Sequence, residues 1–154
     1  MTALVVAGAA VLWAAVLPAA AYAAARPGDV AQLFAFAVYG FSGAICHQRA
    51  ERSFHLLTVP LPVCARCTGL YAGAAMAAIA FVWLSRRPGA LRPSIPSRSA
   101  ARLLLVGAAL PLAASLAYEW ITGNAPSNVL RAGTGIVLGG AVAHLILAAV
   151  DSTR

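Results

Sequence analysis

The stretch TGLYAGAAMAAIAFVWLS, residues 68–85, decides the fold. It is uncharged, and its length approaches the roughly 20 residues that an α-helix needs to cross a bilayer. Small residues at Gly69, Gly73, Ala77 and Ala80 recur at the spacing that lets two membrane helices approach closely. The segment reads as a membrane span, and the composition around it agrees. Of 154 residues, 62% are hydrophobic and only 10% charged, with a mean hydropathy of +0.84. That is too little polar material for a soluble surface and points to an integral membrane protein.

Toward the C-terminus, residues 86–102 carry five arginines (86, 87, 92, 98, 102), three prolines and no acid. Basic loops stay inside, so this segment is expected in the cytoplasm. Residues 103–121 then return across the membrane, with Pro111 predicting a kink. A polar turn at 122–128 leads into a last span at 129–150, where Gly135 and Gly139 form a close-packing motif. His144 reads as a packing residue near the opposite membrane face.

Toward the N-terminus, residues 3–25 are uncharged and long enough to span. Ala21-Tyr22-Ala23 resembles a signal-peptide cleavage site, but no positive residue precedes the run and it is long for a signal core. It reads as a retained helix. Residues 30–45, after the Arg26-Pro27-Gly28-Asp29 turn, are uncharged but short. They read as an interfacial or re-entrant helix, with a tilted fifth span as the alternative.

The expected architecture is therefore all-α: a single polytopic membrane domain with spans at 3–25, 68–85, 103–121 and 129–150, a short membrane-associated helix, and a Cys/His loop at 46–67. Parity places that loop, Glu119, Asn128 and Arg131 together on the non-cytoplasmic side. The net charge of +7 comes entirely from arginine. Because the arginines sit mainly in loops between apolar runs, lipid headgroups account for them better than nucleic acid does.

The loop holds the chemistry. Residues 46–67 contain all three cysteines (Cys46, Cys64, Cys67) and two of the three histidines (His47, His55). Cys64-x-x-Cys67 has the spacing of half a zinc knuckle and equally of a thiol–disulfide active site. A helix starting near Thr68 would stabilise a thiolate at Cys67. Adding Cys46 and His47 gives a Cys3His set suited to tetrahedral zinc. His55 is the alternative fourth ligand, since adjacent residues seldom both bind one metal. Copper(I) and iron–sulfur chemistry also accept thiolates, whereas the C-x-x-C-H run of covalent haem is absent. A structural disulfide staple uses the same atoms. Glu119 and Arg131, at span ends, are expected to pair. Arg49 and Arg52 read as snorkelling residues, or, together with Arg66, as partners of Glu51 or receivers of lipid phosphate or a small anion.

At these residues the chain resembles a group of small prokaryotic membrane proteins catalogued as a domain of unknown function. The resemblance rests on Cys46-His47-Gln48, Arg52-Ser53-Phe54, and Pro62-Val63-Cys64-Ala65-Arg66-Cys67-Thr68-Gly69-Leu70-Tyr71-Ala72-Gly73. Ser127-Asn128-Val129-Leu130-Arg131 with Thr134-Gly135 extends it. Where the family carries an Asp-Gly pair, this chain has Glu119-Trp120. The similarity covers roughly residues 40–140 and implies a membrane setting without an activity. Three functions remain open from sequence: a zinc-binding membrane protein, a thiol–disulfide oxidoreductase using Cys64, Cys67 and Cys46, and a transporter or lipid-handling protein for an anionic group. Gln48, Arg52, His55, Arg66, Tyr71, Glu119, Asn128 and Arg131 are the further site candidates.

Overall fold

A computed structural model describes residues 1–87 and 96–152. Much of the 86–102 loop, including Arg92, lies outside the described residues, as does Arg154. Among the described residues five α-helices make up the fold: α1 (Thr2–Ala24), α2 (Asp29–Gly43), α3 (Ala65–Arg86), α4 (Arg98–Thr122) and α5 (Asn128–Ser152). α1, α3, α4 and α5 are long and apolar enough to cross a membrane. α2 has 15 residues, about 22 Å at 1.5 Å per residue, and falls short of a hydrocarbon core of about 30 Å.

Local chemistry sets the helix ends. Pro27 has no N–H to continue α1. Ser97 caps α4 by accepting from the Ala100 N–H, and Gly123 ends it in the left-handed conformation (φ 69°), its N–H bonded to the Glu119 carbonyl. The Ser127 hydroxyl accepts from the Leu130 N–H at the start of α5. α4 runs unbroken through Pro111, as α1 does through Pro18.

α3 and α5 meet backbone to backbone. A Cβ built on Gly69 would fall 2.0 Å from the Ala132 carbonyl oxygen, and one on Gly139 would fall 2.0 Å from that of Leu70. Gly73 and Gly135 are equally closed, against Ile136 and Arg66. No side chain fits in this seam, so the glycines fix the register of the two helices. Arg66 of α3 is thereby held level with the first turn of α5.

α1 packs antiparallel to α3. Its Ala3 and Ala7 join Ala78, Phe81, Leu147 and Ala148 at one end, while Leu17 joins Val63 and Cys46 toward the other. α2 folds back along α1, bringing the Phe41 ring against Trp13 at 5.3 Å between centroids. Its outer face exposes Val30, Leu33 and Phe36.

Charged residues bracket the bundle. At 1.5 Å per residue, Arg66 and Arg86 lie about 30 Å apart along α3, and Arg131 and Asp151 about 30 Å apart along α5. Glu119 and Arg98 are about 32 Å apart along α4. These separations match the hydrocarbon thickness. Arg66, Glu119 and Arg131 therefore share one end of the bundle, about 30 Å from the charged residues at the other end.

The Cys/His loop is more ordered than its sequence announces. It contains a 3₁₀ turn (Ala50–Arg52) and a hairpin of β1 (His55–Leu56) with β2 (Val59–Pro60), pairing His55 with Pro60 and Leu56 with Val59. Both turn residues, Leu57 and Thr58, have positive φ, 50° and 72°. That is the geometry of a tight hairpin turn, normally signalled by Asn or Gly. Neither residue is present here, and the hairpin has no local sequence signal.

Candidate functional site

α3 begins at Ala65, earlier than the start near Thr68 expected from sequence. The whole of Ala65-Arg66-Cys67 is therefore helical, and Cys64 occupies the N-cap. The Cys64 carbonyl accepts from both the backbone N–H and the hydroxyl of Thr68. Cys46 arrives from the end of α2 and is buried against Leu17 and Val63. Its Sγ accepts from the Cys64 N–H at 3.1 Å. All three cysteines are free thiols, and their sulfurs lie within 4.8 Å of one another. The Cys64 thiol is pulled from its ordinary 9.0 down to about 5, chiefly by the hydrogen bond from the Cys67 thiol. The corrected helix start thus makes Cys64, outside the span, the thiol poised to ionise.

Three polar side chains tie the loop in place. Gln48 sits in the left-handed region (φ 48°), and its Nε2 donates to the carbonyls of Tyr39 at 2.7 Å and Pro62 at 2.8 Å. One amide thus joins α2 to the segment before Cys64. The Tyr39 hydroxyl donates to the Pro60 carbonyl, and burial pushes its pKa up. Asn128, at the start of α5, donates to the Ser53 carbonyl at 3.1 Å.

A cluster of charge adjoins the thiols. Glu119 receives three arginines: Arg52 at 2.8 Å, Arg66 at 2.9 Å and Arg131 at 3.1 Å. The Glu119–Arg131 pair joins α4 to α5 as the sequence suggested. Arg52 does not snorkel away into the interface. It turns back to Glu119 at 2.8 Å, so that one carboxylate holds three guanidiniums. Arg66 also donates to the Ser115 hydroxyl at 3.2 Å. Ser115 had no sequence signal, since a serine inside an apolar run is unremarkable.

Thiols and arginines share one cavity of about 350 Å³. Its lining includes the three cysteines, Arg49, Arg52, Arg66 and Arg131, with His47 and Gln48. Other candidates lie outside that lining. His55 is exposed on the hairpin, and Asn128 acts as a tie. Tyr71 packs in the apolar layer beneath the sulfurs, edge-on to Trp13 at 5.9 Å.

The fold and site together define a small helical membrane protein with a thiol and arginine pocket at one end. The chain belongs to the family of predicted membrane proteins described as DUF2085, which matches residues 46–145. The match opens on Cys46 and contains every thiol and arginine of the pocket, whereas α1 and α2 precede it. The chain is also similar to the uncharacterized protein MJ1492 of Methanocaldococcus jannaschii, 29% identical over 110 residues. That alignment covers 71% of this chain and 66% of the relative, so the chain spans just under two thirds of the relative's length. No solved structure matches.

Proposed function

We propose that this is a metal-binding membrane protein that holds zinc on Cys46, Cys64 and Cys67. The observation that carries the reading is the convergence of three sulfurs within 4.8 Å from two distant segments. Tetrahedral zinc with bonds of about 2.3 Å sets its sulfurs about 3.8 Å apart, so metal binding asks for a contraction of about 1 Å at most. A metal needs thiolates, and the low pKa of Cys64 supplies the first. The fourth position opens on the cavity, where His47 or a bound ligand completes the set. The zinc would hold the loop against α3 and polarise whatever occupies that position.

The arginine-rich segment at 86–102 supports a cytoplasmic location for the opposite end of the bundle, with the thiol site facing outward. A second reading, thiol–disulfide exchange, is favoured by the Cys67-to-Cys64 hydrogen bond, which prepares a nucleophilic thiolate. Elemental analysis of detergent-purified protein with a free-thiol count separates the two. About one zinc per chain with protected thiols supports the metal centre. Metal-free protein with two cysteines oxidised overturns it in favour of redox chemistry.

A further inference from the structure

The wall of the cavity opposite the metal question carries its own signal. Three guanidiniums, those of Arg52, Arg66 and Arg131, converge on a single carboxylate, Glu119, which neutralises only one of them. Arg49 lines the same cavity and adds a fourth positive charge. Part of this charge is withdrawn from water: the side chain of Arg131 is 2% exposed and that of Arg66 15%, while Arg52 is 34% exposed and Arg49 is exposed. Charge withdrawn from water requires a partner or costs several kcal/mol. Donors are also left over. A guanidinium carries five N–H groups, and the buried Nε of Arg131 and of Arg66 meets no acceptor. Glu119 is already shared, Oε1 between Arg52 and Arg131 and Oε2 with Arg66.

We infer that Arg52, Arg66 and Arg131 form a binding site for a phosphate group, taken either as free phosphate or as the phosphomonoester head of a lipid. A tetrahedral dianion matches both the residual charge of the three arginines and their surplus of donors, and Arg is the side chain that pairs with phosphate through two parallel bonds. The volume, about 350 Å³, is at the small end of ligand pockets, enough for a headgroup. The spacing is compatible as well: the arginines lie about 30 Å from Arg86 along the bundle, one hydrocarbon thickness, which would set them beside the headgroups. The site shares its cavity with the thiols but does not depend on a metal.

The full chain in phosphatidylcholine nanodiscs tests this with two probes, radiolabelled inorganic phosphate and phosphatidic acid added to the disc. Saturable binding of either is expected. Inorganic phosphate alone identifies the free anion, and phosphatidic acid alone identifies the lipid head. Arg52→Gln removes the most exposed of the three arginines and should weaken binding about tenfold or more, the effect of losing a charge-assisted hydrogen bond. Should that variant unfold, Arg52→Lys takes its place: it keeps the charge but loses the paired guanidinium donors, and binding should still weaken. Arg98→Gln, exposed at the far end, should leave binding unchanged. Binding of neither probe, or equal loss in the Arg98 control, overturns the inference. Chelator-treated protein should still bind. Loss of binding on chelation would assign the anion to a metal and overturn this site while supporting the metal centre. Binding by protein that never held zinc would sustain this site and remove that reading.

Discussion

Arg131 and Glu119 approach to 3.1 Å across two helices, and only 2% and 9% of their side chains remain exposed. The pair joins the ends of α4 and α5 that the polar turn at 122–128 connects, and two further arginines attach to it. Glu119 is the shared counter-ion for groups on the loop, α3 and α5.

Glu119→Gln leaves three guanidiniums facing one another without a carboxylate. Removing one member of a buried ion pair costs about 3–5 kcal/mol. Thermal unfolding in detergent should show a large drop for Glu119→Gln. Adding Arg131→Met should restore part of it, and a double mutant no better than the single would refute the coupling.

The α3–α5 seam predicts a sharp contrast between neighbouring glycines. Gly139→Val puts a side chain where the Leu70 carbonyl already lies, and the helices must separate. Overpacking of 1–3 kcal/mol is roughly the lower bound here, since backbone cannot move aside as a side chain does. Gly133→Ala meets nothing within 4 Å and should be tolerated. Equal stability of the two variants would show that the helices do not touch at the seam.

Cys64 predicts a pH signature in metal-free protein. Its folded pKa of about 5 lies below the ordinary 9.0, so it is thiolate across the neutral range. Alkylation by iodoacetamide should reach its plateau by about pH 6, where an ordinary thiol climbs through about 8.5. A depressed pKa stabilises the fold in full above pH 9.0, and that contribution is lost as pH falls through about 5. A midpoint near 8.5 would contradict the hydrogen-bonded arrangement.

Gln48 separates the loop's anchoring from its chemistry. Gln48→Ala deletes two hydrogen bonds of about 1 kcal/mol each and keeps an unfavourable backbone angle. On the proposed zinc site, metal content after dialysis should fall, although no sulfur has been touched. Gln48→Gly loses the bonds but relieves the angle, and should retain more metal than the alanine variant.

How far the sequence could be read depended on the range of the interaction. The spans were legible because twenty uncharged residues have few alternatives, and the glycine spacing in residues 69–73 and 135–139 marked faces for close helix packing without pairing the two. The pairing of Glu119 with Arg131 followed from the cost of lone charges at membrane depth. Arg52 was misjudged, because nothing near it in sequence reveals a carboxylate arriving from α4. The hairpin at Leu57-Thr58 was invisible, since its left-handed residues lack the usual Asn or Gly and are held by tertiary contacts. Ser115 and the Gln48 clamp are long-range choices of the same kind.

The glycine seam has a mechanical consequence. Along Gly69, Gly73, Gly135 and Gly139 the two helices meet with backbone alone and have no side chains to repack there, so α3 and α5 hold Arg66 and Arg131 in fixed relation. α4 buries only Ala108, Ser115 and Glu119, and two of those three belong to the arginine cluster. The loop and α4 are thus tied to that pair chiefly through charge, and Glu119 is where the tie is made.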